Sequence, residues 1–200
     1  MSLACQSSRQ PAPACRSFLR LANNLIVRRH PIPPHSLAPL DTFSRWQNRL
    51  RQDRRSLEIA WVTSDLAISR APAPDEWQLV SAEGIDSVAD LRAGERVDAE
   101  LVERHGLRYA SFPVEDGAAP SPGGLRRLAG WVADEIEAGR AVLIHCREGR
   151  GRSVLAAGAA LRELGYGVAN AYALVRRAQT GATLSEVQIA ALAAYRPRKR

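Results

Sequence analysis

Lysine is almost missing from this 200-residue chain: of 28 lysine and arginine residues together, the single lysine is Lys199, in the closing run Arg198-Lys199-Arg200. A GxxxxGK[ST] nucleotide loop therefore cannot be built, which excludes ATP-driven and kinase-type readings that depend on its lysine. Cysteine is equally scarce. Cys5, Cys15 and Cys146 are odd in number and show neither a CxxC pair nor Cys/His metal spacing, which argues against a disulfide framework and a structural zinc site. A reducing compartment is the simpler setting. Long apolar runs are missing near the N-terminus too, where Leu25-Ile26-Val27 is the longest; a membrane span needs roughly 20 such residues. The expectation is a soluble, cytoplasmic protein with no membrane span. Leu3-Ala4-Cys5 traces a lipoprotein box but has no apolar segment before it and is read as chance.

The charge is unevenly placed. The net charge is +7, yet residues 1–55 alone hold ten arginines against Asp41 and Asp53, a balance of +8 that leaves −1 for residues 56–200. Basic character belongs to the N-terminal arm. Its first 40 residues contain no acid, a composition shared with organelle transit peptides, so targeting to an organelle is the alternative localisation. Aromatics among those arginines are few (Phe18, Phe43 and Trp46), so no nucleic-acid partner is expected, and weak contact with an anionic surface is the most the arm offers.

Residues 1–55 are punctuated by Pro11, Pro13, Pro31, Pro33, Pro34 and Pro39 and read as a mostly irregular arm with short helices around Ser17 to Val27 and Thr42 to Arg54. Residues 56–200 read as one catalytic-type domain. Ile59, Trp61 and Val62 lead through a Ser64-Asp65 turn into Leu66-Ala67-Ile68, the pattern of a hairpin. There follow a helix over Asp75 to Ala82, a strand over Ser87 to Leu91, a helix over Val97 to His105 and a strand over Arg108 to Pro113. A helix capped by Ser121 begins at Pro122 and carries Leu125, Leu128, Val132 and Ile136 on one face, with Gly139 past its end. Ala141 to Ile144 is apolar on both faces, as a central parallel strand must be, and precedes helices over Ser153 to Leu164, Val168 to Ala178 and Ser185 to Tyr195. This alternation predicts a single α/β domain with a central, mostly parallel sheet flanked by helices.

The informative segment is His145-Cys146-Arg147-Glu148-Gly149-Arg150-Gly151-Arg152-Ser153, set between a buried strand and a helix start. A loop so placed aims backbone N–H groups and the positive end of a helix dipole at one point, which makes an anion cradle. The same field favours a thiolate, the nucleophilic form of cysteine. Gly149 and Gly151 permit positive φ and close backbone approach to the anion. Arg152 supplies a planar fork for two phosphate oxygens and for the charge that builds on them, and Ser153 places a hydroxyl near Cys146. Phosphoryl transfer to sulfur also needs a proton donor for the leaving oxygen. The stretch Phe112 to Pro120 sets Glu115 and Asp116 at the carboxyl end of a predicted strand, the edge of an α/β sheet where ligands bind. Asp116 is the candidate general acid, with Glu115 as the other choice.

The segment 145–153 resembles the HC(x)5R[ST] signature of the cysteine-dependent protein tyrosine phosphatase superfamily, and Pro113 to Asp116 is similar to the PxxD loop of the dual-specificity branch. The likeness covers roughly residues 57–196. It implies a phosphotyrosine-phosphatase-like fold and a phosphocysteine intermediate at Cys146. Phosphate would be bound by Arg152 and the backbone of Arg147, Glu148, Gly149, Arg150 and Gly151, with proton donation by Asp116 and help from Ser153 in releasing the thiolate. It implies no metal, and no cofactor is expected; His145 is read as a structural support for the loop. The chain lacks the Asn/Lys/Arg/Tyr-type loop that deepens the pocket of tyrosine-specific members, so the resemblance implies a shallower pocket and a phosphorylated protein substrate carrying phosphotyrosine, phosphoserine or phosphothreonine. Arg147 and Arg150 stand where phosphoinositide-hydrolysing relatives have lysines, which makes a phosphoinositide, inositol phosphate or phospholipid the alternative substrate, although Glu148 departs from that pattern. Gln179-Thr180-Gly181 replaces the Arg-Pro-Gly of many relatives. Rhodanese-like sulfur transfer uses a similar loop, about one residue shorter and without an acid like Asp116, and a non-catalytic phosphate-binding module is the third reading.

Overall fold

The computed structural model describes residues 57–94 and 99–198. The predicted arm over residues 1–55, with its two short helices, lies outside the described residues.

The hairpin forms as its sequence suggests. β1 (Ala60–Trp61) pairs antiparallel with β2 (Leu66–Arg70), and the Leu66 carbonyl accepts from the backbone N–H of both Val62 (2.8 Å) and Thr63 (3.1 Å) to close the turn. A 3₁₀ turn at Pro74–Glu76 runs into α1 (Trp77–Ala82), followed by β3 (Ser87–Arg92), α2 (Ala99–Arg104) and β4 (Arg108–Val114). Then come α3 (Pro122–Glu137), β5 (Val142–Cys146), α4 (Arg152–Glu163), α5 (Val168–Ala178) and α6 (Glu186–Ala194). Val97, with which the second helix was expected to begin, lies outside the described residues. Ser121 caps α3 by accepting from the N–H of Gly124 at 3.1 Å. Its Oγ thereby serves one of the donors that a helix start leaves without an intrahelical partner.

The sheet order is β1-β2-β5-β3-β4, and every pairing except β1 with β2 is parallel. All five residues of β5 are buried, because the strand is flanked by β2 and β3 and covered on both faces. Alternate side chains divide between two cores. Val142, Ile144 and Cys146 pack with Leu125, Leu128 and Val132 of α3 and with the apolar residues of α4. Leu143 packs on the opposite face with Trp77 and Val80 of α1 and Val102 of α2. The period of two along a strand thus sends Cys146 and His145 to opposite faces of the sheet.

Four alanines of α4, Ala156, Ala157, Ala159 and Ala160, have structural work. Eleven of the twelve residues of α4 are buried, and a helix enclosed on all sides needs small residues so that its neighbours can approach. At Gly158 an added Cβ would lie 3.1 Å from the Leu192 side chain of α6. Glu163, also buried, fastens the C-terminal end: it accepts from Tyr195 Oη at 2.7 Å and from Arg198 Nε at 2.6 Å, while Arg198 Nη2 reaches Asp134 of α3 at 2.7 Å. Burial alone would push the Glu163 carboxyl up, but the hydrogen bonds from Tyr195 and Arg198 outweigh it and hold it below the usual carboxylate range.

Candidate active site

The fold brings the carboxyl ends of β4 and β5 and the N-terminus of α4 to one edge of the sheet. β5 ends at Cys146, the intervening residues 147–151 turn back on themselves, and α4 begins at Arg152. Gly149 makes this turn possible. It takes φ +75°, and a Cβ there would lie 2.6 Å from the carbonyl carbon and oxygen of Ser69 and 2.7 Å from Arg70 N. Only a residue without a side chain fits between the loop and β2. Gly151, expected to need the same freedom, does not: its φ is −114°, and an added Cβ would stand 3.4 Å from Gln188 Oε1 and the Thr183 carbonyl. The loop is tied on both flanks, by Ala71 N–H donating to the Arg147 carbonyl (3.3 Å) and Thr183 N–H donating to the Arg150 carbonyl (2.9 Å).

Cys146 Sγ lies at the base of this loop. It accepts from the N–H of Gly149 at 3.2 Å and stands 3.5 Å from Ser153 Oγ. The Gly149 N–H is a donor to the sulfur, and the Ser153 hydroxyl can either donate to it or accept from it. Cys146 is only 2% exposed, so a substrate must reach it through the cleft above the loop.

Arg152 is 5% exposed and its guanidinium is divided among three tasks. Nη1 donates to the Val114 carbonyl at 2.8 Å, which fixes the plane of the fork. Nη2 lies 3.0 Å from Asp116 Oδ1. Nε is buried and has no hydrogen-bond partner among the described residues. A buried guanidinium N–H without a partner is costly, so this donor is suited to an oxyanion arriving from the cleft.

The cleft has a volume of about 380 Å³ and is lined by Asp116, Gly117, Cys146, Glu148, Arg150 and Gly151, with Thr183, Leu184, Ser185 and Gln188 forming its far wall. Of the expected site residues, Cys146, Asp116, Glu148, Arg150 and Gly151 line this cleft, and Arg152, Ser153 and Gly149 join them through contacts to Asp116 or Cys146. Glu115 and Arg147 are exposed and do not line the cleft. The far wall was missed from the sequence except as a helix start. Its only local signal is the capping box in which Ser185 and Gln188 serve each other's backbone.

His145 sits on the opposite face of the sheet, fully buried, with its ring edge-on to Trp77 at 5.9 Å and Nδ1 3.7 Å from Asp90 Oδ1. Asp90 is its register partner on β3. Burial would raise the Asp90 carboxyl, but the Arg92 guanidinium, bonded at 2.9 Å and 3.1 Å, and the nearby His145 imidazole hold it below the usual range. Burial and Asp90 together push the Tyr109 hydroxyl, which donates to Asp90 at 3.2 Å, up to about 12. Arg92 thus grips Asp90 on its own strand.

Comparison with known proteins agrees with this geometry. The family model described as "Polymorphic toxin system, DSP-PTPase phosphatase" matches residues 64–163, which contain both the phosphate loop and Asp116. A crystal structure of Tk-PTP in the active form is 30% identical, with a TM-score of 0.62, and the match covers 68% of this chain and 93% of that one. Human DUSP28, at 23% identity and TM-score 0.59, matches over 68% of this chain and 91% of its own and shares the fold. So does PTPMT1 in complex with PI(5)P, at 15% identity and TM-score 0.60, over 68% of this chain and 92% of that one. The matching family model and a relative at this identity together make the chain a member of the DSP-PTPase family of cysteine-dependent phosphatases.

Proposed function

We propose that the protein hydrolyses phosphomonoesters of phosphorylated proteins through a phosphocysteine intermediate on Cys146. The observation that carries this reading is the division of Arg152. One nitrogen is fixed to Val114, one faces Asp116 and one is buried without a partner among the described residues.

In this mechanism the substrate phosphate enters the loop formed by residues 147–151 and takes the Nε/Nη2 edge of Arg152, while backbone N–H groups and the helix dipole bind its other oxygens. The Cys146 thiolate attacks phosphorus and the bond to the leaving oxygen breaks. Asp116, entering in its acid form, delivers its proton to that oxygen, a role that contributes roughly 10²- to 10⁴-fold. Water then attacks the phosphocysteine, with Asp116 accepting its proton, and the S–P bond breaks to release phosphate. Ser153 Oγ–H donates to the departing sulfur, which the Gly149 N–H also stabilises.

The likeness of Pro113 to Asp116 to the PxxD loop of the dual-specificity branch favours a phosphoprotein substrate bearing phosphotyrosine, phosphoserine or phosphothreonine. A phosphoinositide or related phospholipid is the second reading, favoured by the exposed Arg147 and Arg150 at the loop. A panel of phosphopeptides and phosphoinositide micelles tests the choice: the higher kcat/KM belongs to phosphopeptides on the first reading, and a reversed order overturns it for the second. The description of the matched family extends the proposal to an effector role in a polymorphic toxin system. Wild-type protein then arrests growth of a susceptible host cell while Cys146→Ser does not; equal effects of the two exclude a toxicity that depends on catalysis.

A further inference from the structure

The start of α6 touches both reacting loops. Ser185 Oγ donates to the Gly117 carbonyl at 2.9 Å, and Gln188 Nε2 donates to the Ala118 carbonyl at 2.9 Å. These are the two residues that directly follow Asp116. The same segment holds the phosphate loop through the Thr183 N–H bond to the Arg150 carbonyl at 2.9 Å. Gln188 is 1% exposed, and its side-chain oxygen and nitrogen lie 3.4 Å and 3.6 Å from where a Cβ on Gly151 would stand. One short stretch therefore brackets the acid-bearing loop against the loop that carries the nucleophile.

The helix itself does not require this arrangement. A capping box needs Ser185 Oγ to accept from Gln188 N–H (3.4 Å) and Gln188 Oε1 to accept from Ser185 N–H (3.1 Å), and both bonds are present. The Ser185 hydroxyl proton and the Gln188 amide nitrogen are left over after capping, and both are directed at the carbonyls beside Asp116. Arg152 also holds this loop, at the Val114 carbonyl and Asp116, and Ala118 N–H donates to the Glu115 carbonyl at 3.1 Å, but Asp116 has an 82% exposed side chain, and Gly117 has φ +71° and no side chain to pack. Loops of this kind open at low free energy unless tied down, and an acid misplaced by an ångström loses much of its effect.

We propose that Ser185 and Gln188 are positioning residues for general-acid catalysis, holding Gly117 and Ala118 so that Asp116 stays against Arg152 on the cleft it lines with Cys146. The proposal rests on the assignment of Asp116 as the acid. Neither side chain touches the reacting atoms in this role; both act through Asp116.

The test compares phenyl phosphate, whose leaving group needs a proton, with p-nitrophenyl phosphate, whose leaving group needs it much less, on full-length protein. Ser185→Asp retains a preferred helix cap but, ionised, has no proton to donate to Gly117, whereas Ser185→Thr retains cap and donor. Gln188→Met keeps the volume and removes the amide. Ser185→Asp and Gln188→Met each lower kcat for phenyl phosphate at least about tenfold more than for the activated ester; Ser185→Thr restores the wild-type ratio, and Ser185→Asp adds no selective loss to Asp116→Ala. Equal losses on both substrates, or an undiminished selective loss in the Asp116→Ala background, overturn the proposal while the selective loss from Asp116→Ala alone keeps the acid assignment. If Asp116→Ala itself shows no selectivity, the acid assignment falls and the proposal with it. Should Gln188→Met fail to fold, Ser185→Asp decides the matter, because its helix cap is retained.

Discussion

Arg152 and Asp116 form an ion pair beside the cleft that Asp116 lines, Nη2 to Oδ1 at 3.0 Å, with the arginine side chain 5% exposed and the aspartate 82% exposed. The pair joins the residue assigned to hold phosphate to the residue assigned to protonate its leaving group. An incoming phosphate that uses the Nη2 donor must displace the carboxylate.

It follows that Asp116→Asn binds inorganic phosphate more tightly than wild type while turning over phenyl phosphate more slowly. A pair whose aspartate is open to solvent contributes roughly 0.2–1 kcal/mol, so removing this competitor strengthens phosphate binding by about 1.4- to 5-fold. Titration calorimetry on the two proteins measures it. Weaker phosphate binding by Asp116→Asn contradicts the competition.

Gly149→Ala is expected to damage both the loop and the fold. The new Cβ meets the β2 backbone at 2.6 Å in a conformation with φ +75°, and a non-glycine residue held there costs roughly 1–3 kcal/mol before the clash is counted. Gly151→Ala, with nothing nearer than 3.4 Å and an ordinary φ, is tolerated better. Thermal melts and phosphate titrations of the two variants give the comparison, and equal losses would remove the structural distinction between these glycines.

Glu163 makes stability depend on pH. Its folded carboxyl is held below the ordinary value of 4.5, so the unfolded chain binds the proton more readily. The stabilisation is present in full above the unfolded value and is lost as pH falls through the folded one. Glu163→Gln is expected to lower stability near neutral pH by about 1.5–3 kcal/mol, the range for hydrogen bonds to a charged group, and to melt with a shallower loss on acidification below about pH 4.5. Urea unfolding at neutral and acid pH checks both. An undiminished acid dependence in the variant assigns the effect to other carboxylates.

The phosphate loop was legible in the sequence because its parts are contiguous: a buried apolar strand, then Cys146, Gly149, Gly151, Arg152 and Ser153 within one turn of chain and helix start. Asp116 was legible from its position after a strand. The wall made by Thr183, Ser185 and Gln188 was not, since its contacts bridge residues far apart in sequence and use backbone carbonyls, which have no residue-type signature. The Val114 carbonyl that fixes Arg152 escaped for the same reason. Gly149 and Gly151 look alike in sequence, and only the nearness of β2 to the first separates them. His145 reads as part of the motif, yet strand alternation turns it toward Asp90 and Trp77, away from the cleft.

The central claim is that Cys146 is the nucleophile. Hydrolysis of p-nitrophenyl phosphate by wild type and Cys146→Ser, with the thiol kept reduced and phosphate binding by the variant measured in parallel, tests it most directly. The account predicts a loss of at least about 10³-fold in kcat with phosphate binding by Arg152 and the loop backbone preserved. A Cys146→Ser protein that binds phosphate and retains a rate within about tenfold of wild type, a barrier change of only about 1.4 kcal/mol, contradicts it.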